Sequence, residues 1–301
     1  MSGAPVWPGE SKQRKVPGIY PHRRSLIYLM STHSDEIKSG KRFAFGSNWT
    51  RFQTVLDENR ILEAEASLRE MLGVQDLRGK SFLDVGSGSG LFSLAARRLG
   101  ASVYSFDYDP ESVACTEELR RRFFPEDSQW TLETGSVLDP MYLRKLPKFD
   151  VVYSWGVLHH TGCMWEALAN LCPLVAGNGK LFIAIYNDEG FYSRYWLHVK
   201  RAYVRFPALR GILIFIHTLY PFLPSRLYRA LTGRLTRERG MSAWYDLIDW
   251  VGGYPFEVAS VKQLFDFYHS RGFQLEKIQT TNRSGCNELV LIKKKANECA
   301  G

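Results

Sequence analysis

Between Leu83 and Gly90 the sequence reads LDVGSGSG, and seventeen residues after Gly90 an acid, Asp107, stands in SFDYDP. Gly86, Gly88 and Gly90 permit a sharp turn that brings backbone amides close to a ligand, with the Asp84 carboxylate beside the same turn. Glycine turns also end strands that bind nothing, so the details decide. The spacing is G-x-G-x-G, with Leu91 where the dinucleotide fingerprint has its third glycine, and the acid lies inside the motif. A carboxylate there suits a ligand carrying a cation and repels a pyrophosphate. Asp107, at the tip of the next strand, can accept two hydrogen bonds from a ribose diol. Loop and acid together point to a nucleoside-like ligand.

Other residues have the chemistry for proton transfer or for holding a second ligand. His159 and His160, in GVLHHT, follow an apolar run, and a histidine near its ordinary pKa of about 6.5 can take a proton from a hydroxyl. The same LHH segment can instead cap the next helix and close over the ligand. No carboxylate or third ligand accompanies the pair at a regular interval, so no metal is expected. In FGSNWTRF, Ser47 or Asn48 can cap a helix, whereas Trp49 and Arg51 can form a lid. WYDLIDWVGGYPFE sets Asp246 and Asp249 among Tyr245, Trp250 and Tyr254, beside Gly252, Gly253 and Pro255, a mixture suited to a substrate wall. Asn187 and Asp188, at the end of another apolar run, are expected to face the same cavity.

Positioning these residues requires strands that alternate with helices. SFLDV (81–85), SVYSF (102–106), WTLET (130–134), DVVYS (150–154) and KLFIAIY (180–186) read as buried strands, with helix-like segments such as LFSLAARRLG between them. That alternation predicts a parallel sheet covered on both faces. Upstream, Phe52, Val55 and Leu56, then Ile61, Ala64, Leu68 and Leu72, recur at helical spacing. GFQLEKIQT and NELVLIKKK, joined by TNRSGC, predict an antiparallel hairpin. Nearly ninety residues separate the fifth strand from this hairpin, far more than a crossover needs, so an inserted helical unit is expected. The predicted organisation is a basic flexible arm over 1–35, a helical extension over 36–79, a ligand-binding core over 80–189, a basic helical substrate cap over 190–260, and the end of the core with its hairpin over 261–295.

Of 301 residues, 39 are Lys or Arg and 31 are Asp or Glu, a net charge of +8, and 45% are hydrophobic, which excludes disorder, collagen and coiled coil. From Gly190 to Gly240 there are ten Lys or Arg and one acid, Glu238, so this stretch holds the whole excess charge. It also contains ALRGILIFIHTLYPFLP, too short and too interrupted by Pro221 to span a bilayer. That run suits the interior of the helical unit, a membrane interface, or the grip on an anionic substrate. The N-terminus lacks the apolar run of a signal peptide, and the five cysteines are scattered. A reducing, cytoplasmic setting is therefore expected, with peripheral contact to the inner face of a membrane left open.

LDVGSGSG, FDYD, TGSVLDP and FDVVYSWGVLHH together resemble the class I S-adenosylmethionine-dependent methyltransferases, in the branch that includes ubiquinone and menaquinone biosynthesis methyltransferases. The resemblance runs over roughly residues 80–188, and the final hairpin fits the family's last two strands. It implies a Rossmann-like α/β fold with a seven-stranded, mostly parallel sheet, helices on both faces, an antiparallel C-terminal hairpin and a helical insertion between strands 5 and 6. It implies S-adenosylmethionine as cofactor, with Asp84 and the loop from Gly86 through Ser87 and Gly88 to Gly90 at the methionine part. Asp107 would bind the ribose, Tyr108 would pack on the adenine, Ser136 and Val137 would sit at its edge, and Trp155 would line the methionine end. Ser136 stands where many relatives have aspartate. The expected activity is O-methylation of a small-molecule or lipid- or sugar-linked acceptor, with His159, His160, Asp246 and Asp249 as candidate proton acceptors. Trp49, Arg51, Asn187, Tyr245, Trp250 and Tyr254 are the candidate acceptor contacts. The rival readings are an RNA methyltransferase that uses the basic stretch as a phosphate track, and a cofactor-binding module without catalysis.

Overall fold

Side chains alternate across the apolar runs, and this gives the sheet two buried faces. In the computed structural model, which describes residues 32–46, 49, 56–218, 243–281 and 285–295, five parallel strands carry this pattern. They are β1 (Ser81–Val85), β2 (Ser102–Asp107), β3 (Trp130–Thr134), β4 (Phe149–Trp155) and β5 (Val175–Tyr186). An antiparallel pair, β6 (Phe273–Gln279) and β7 (Cys286–Lys293), completes a seven-stranded sheet of order β3-β2-β1-β4-β5-β7-β6. Leu83, Val152, Ile183 and Leu289 point into one core and their neighbours Phe82, Tyr153, Phe182 and Val290 into the other.

Helices cover both faces. α1 (His33–Lys38) and α2 (Glu58–Leu72) precede the sheet, and α3 (Leu91–Arg98), α4 (Pro110–Phe123) and α5 (Met164–Leu171) lie between strands. Asp57 caps α2 by accepting from Arg60 N, and Gly73 ends it in the left-handed conformation, so the helix begins within the polar stretch that interrupts the upstream apolar pattern. Between β5 and β6 come α6 (Phe191–Arg205), α7 (Arg210–His217), α8 (Ala243–Gly252) and α9 (Val261–His269). Trp196, Val199 and Tyr203 of α6 pack with Leu247 and Val251 of α8 in a third apolar cluster. Of the arm expected over 1–35, residues 1–31 lie outside the described residues, and α1 already begins at His33, capped by Thr32. No helix among the described residues is long and apolar enough to cross a membrane.

From β1 the chain runs outward to β2 and β3, then returns to β4 on the other side of β1. The loops after β1 and β4 therefore diverge and leave a crevice at the carboxyl ends of the strands, the usual ligand position in such sheets.

Candidate functional site

The glycine loop is folded by bonds to its neighbouring strand. Gly86 N and Ser87 N donate to the Phe106 carbonyl at 2.8 and 3.2 Å, and Gly90 N donates to the Ser87 carbonyl at 2.8 Å. Gly88 N donates to Asp107 Oδ2 at 2.9 Å. The amides of Gly86, Gly88 and Gly90, expected from the sequence to approach a ligand, are instead bonded within the fold, as is that of Ser87; what the loop offers a ligand is its contour. At Gly86, φ is +81° and a Cβ would collide with the Val157 side chain. At Gly90, also at +81°, it would lie 2.8 Å from the Thr116 backbone.

The crevice holds a cavity of about 570 Å³, the size of a small-molecule or cofactor site. Asp84 at the end of β1 lines it with Gly86, Ser87 and Gly88, as do Asp107 and Tyr108 after β2. Ser136 and Val137 border it after β3, and Trp155 at the end of β4. Gly90 stands behind the lining, as the N-cap of α3.

The two acids are buried in different networks. Ser93 Oγ donates to Asp84 Oδ2 at 2.5 Å, Ser93 and Ser105 hydroxyls are 2.7 Å apart, and Trp130 Nε1 donates to Ser105 Oγ at 3.0 Å. Because Ser93 uses its one hydrogen on Asp84 and the indole can only donate, the chain is directed: Trp130 to Ser105, Ser105 to Ser93, Ser93 to Asp84. Burial pushes Asp84 up to about 7, against the Ser93 bond and with the help of nearby Asp107. Burial likewise raises Asp107 to about 6, against bonds from the Asp109 and Gly88 amides. Two carboxylates held this far from water favour a ligand that brings positive charge.

Residues 32–46 form a strap over the crevice that the sequence did not reveal. Gly46 N donates to Asp109 Oδ2 at 2.9 Å, and Phe43 N donates to the Tyr254 carbonyl at 2.8 Å. Arg42 pairs with Glu36, which is only 1% exposed. The same guanidinium donates to the His160 carbonyl at 2.9 Å and lies 5.2 Å from the Tyr108 ring centre. His33, Glu36, Arg42 and Phe45 all line the cavity, as does Trp49. Arg51 lies outside the described residues.

The two histidines sit in a turn, Leu158–His160, just past β4, and both are buried. His160 lines the cavity, whereas His159 does not. The His160 Nδ1 lies 2.6 Å from the Pro255 carbonyl, so Nδ1 carries the proton and Nε2 has the lone pair. His159 Nδ1 accepts from Tyr186 N at 3.3 Å, and its buried Nε2 has no partner among the described residues. Burial pushes His160 down to about 3, opposed by the Pro255 bond and aided by the Lys200 and Arg42 charges. Burial also drives His159 well below its ordinary value.

The aromatic segment at the end of α8 and just after it braces this turn. Glu257 N donates to the His159 carbonyl at 2.9 Å, and Glu257 Oε2 accepts from Met164 N at 2.9 Å. Trp250 packs 5.5 Å from Tyr186 and lies over the buried Lys200 ammonium, and Tyr254 belongs to the same apolar cluster. Neither lines the cavity, and nor does Asn187, whose amide oxygen accepts from Asn287 Nδ2 at 3.0 Å. The Tyr245, Asp246 and Asp249 side chains lie outside the described residues. Among the described residues no group of three or more His, Cys, Asp or Glu could hold a metal ion.

A family model described as a methyltransferase domain matches residues 56–231, more than half of the chain. The chain is 32% identical over 120 residues to the ribosomal protein L11 methyltransferase of Helicobacter hepaticus, covering 39% of this chain and 32% of that protein. It is 34% identical over 117 residues to the tRNA U34 carboxymethyltransferase of Ectopseudomonas mendocina, covering 38% and 35%. These matches span about a third of each curated relative. A chain from the complex between the Haloferax volcanii Trm112 methyltransferase activator and a methyltransferase shares the fold, with a TM-score of 0.50 and 13% identity over 85% of this chain and 98% of that one. The family match, read with the strand order and the glycine loop, places the chain in the methyltransferase-domain family, in its class I, S-adenosylmethionine-dependent form.

Proposed function

We propose that the protein methylates an oxygen of a small-molecule or lipid- or sugar-linked acceptor, and that the acceptor's hydroxyl is already acidic, phenolic or enolic in kind. The observation that carries this reading is His160: it lines the same cavity as the glycine loop, with its proton fixed on Nδ1 by the Pro255 carbonyl.

S-adenosylmethionine supplies a methyl group activated by its sulfonium, open to direct displacement. In this reading Asp107 accepts the ribose hydroxyls: each carboxylate oxygen takes one amide in the fold and keeps a second lone pair. Asp84 faces the cationic end, and Trp155 and Trp49 form apolar walls. His160 receives the hydroxyl proton at Nε2.

The depressed pKa of His160 selects the acceptor. A base held this low by burial is neutral throughout the physiological range but weak, so it suits an acceptor that gives up its proton easily. This revises the expectation, formed from the sequence, of a histidine near its ordinary pKa of about 6.5.

The test is methyl-labelled S-adenosylmethionine incubated with the protein and fractionated cell extract, with His160→Asn in parallel. Label should enter a phenol- or enol-bearing small molecule or lipid and fall about 10²-fold or more in the variant. Label in RNA would give the reaction to the rival reading, and no label in any fraction would leave a binding module.

A further inference from the structure

The exposed apolar surface of this protein is concentrated in one place. Eight of the eleven large apolar side chains exposed among the described residues lie between Phe191 and Ile216. Five of the eight fall in a single run: Phe206 and Leu209 in the turn before α7, then Ile212, Phe215 and Ile216 on α7 itself. Spacing of three and four puts these last three on one helix face. The other face is fastened to the body: His217 is buried, its Nε2 2.8 Å from the Tyr195 hydroxyl and its ring 4.9 Å from Trp196. Phe215 is nonetheless 64% exposed and Ile212 57%.

Along the chain, the charge of this stretch is of one sign. From Phe191 to His217 there is no Asp or Glu, and Arg194, Arg201, Arg205 and Arg210 are all exposed. None of the four forms an ion pair among the described residues. Arg210 is held at the start of α7, its Nε donating to the Tyr203 carbonyl at 3.1 Å.

We propose that α7 and the turn before it are a docking surface for an anionic lipid bilayer, lying in the headgroup region with Ile212, Phe215 and Ile216 toward the acyl chains and the arginines at the phosphates. Charge complementarity selects this occupant. A second copy of the chain would set the same acid-free arginine cluster against itself, whereas an anionic bilayer offers both an apolar interior and negative charge at its rim. At about 12 Å, an eight-residue helix cannot cross the roughly 30 Å hydrocarbon core, but it can lie along its edge.

The test is sedimentation of the full chain with vesicles of phosphatidylcholine alone and of phosphatidylcholine mixed with phosphatidylglycerol, which needs neither cofactor nor methyl acceptor. Wild type should bind the mixed vesicles about tenfold or more tightly than the neutral ones, and added salt should weaken this binding. Ile212→Ser with Phe215→Ser should reduce it by about tenfold, with thermal unfolding little changed because more than half of each side chain is already exposed. Arg205→Glu with Arg210→Glu should remove the preference for anionic vesicles. Equal binding by wild type and the Ser variant, or no binding by wild type, would overturn the proposal. So would light scattering that shows a dimer dissolved by the Ser variant.

Discussion

Replacing Asp107 with Asn keeps the shape of the side chain and removes its charge. The carboxylate accepts Gly88 N on one oxygen and Asp109 N on the other, both at 2.9 Å, and in our reading it also accepts the ribose hydroxyls. A hydrogen bond to a charged group contributes about 1.5–3 kcal/mol, and each 1.4 kcal/mol is tenfold in affinity. Loss of one such bond therefore predicts an S-adenosylmethionine Kd raised about 10- to 150-fold. Calorimetry across pH separates this from a loop that has merely loosened. The wild-type carboxylate, raised to about 6 by burial, must be ionised to hold the diol, so wild-type affinity should weaken as pH falls through that value. The Asn variant should lack this part of the pH dependence. An unchanged Kd in Asp107→Asn at pH 8 would refute the assignment of the ribose to this side chain.

His160→Asn should lower the methyl-transfer rate about 10²-fold or more with cofactor Kd unchanged, whereas His159→Asn, away from the cavity, should act mainly on thermal stability; stopped-flow single turnovers distinguish them. The wild-type single-turnover rate at saturating cofactor should stay flat from pH 8 to pH 5, because His160 titrates near 3, while the cofactor KM rises below about 7 as Asp84 and Asp107 take up protons. In the ligand-free protein the same two acids, raised above their unfolded value of 3.8, contribute stability that is present below that value and lost as pH rises through about 6 to 7, a trend that calorimetric unfolding should show. Arg42→Met leaves the buried Glu36 without its cation and should cost about 3 kcal/mol or more, read as a lowered unfolding midpoint. Ser105→Ala breaks the chain from Trp130 to Asp84 and should weaken cofactor binding without removing any group that lines the cavity, read as a raised Kd.

The sheet was legible because each strand is a short apolar run whose neighbours in sequence are amphipathic, and β1 and β3 fall on the expected residues. β5 begins earlier than its apolar run suggests, at Val175, because the polar stretch from Gly177 to Lys180 is carried along β4 through a bulge. The glycine loop and Asp107 could be read because their chemistry is local, contained in the turns after two successive strands. The strap was hidden for the opposite reason. α1 has only six residues and one buried side chain, the acidic Glu36, so it has no apolar periodicity, and the strap's anchors, from Arg42, Phe43 and Gly46 to His160, Tyr254 and Asp109, reach far along the sequence. The aromatic segment at the end of α8 and just after it shows a different limit. Composition suggested a substrate wall at Trp250 and Tyr254; the fold instead packs them in an apolar cluster, Trp250 against Tyr186 and Lys200, while the backbone nearby holds the histidine turn.

The most direct test of the account is a crystal structure of the protein with S-adenosylhomocysteine at pH 8. The ribose hydroxyls should lie about 3 Å from the Asp107 carboxylate, the adenine edge at Ser136 and Val137, and the sulfur in the part of the cavity lined by Trp155 and His160. Ribose away from Asp107, or the sulfur turned away from His160, would contradict it.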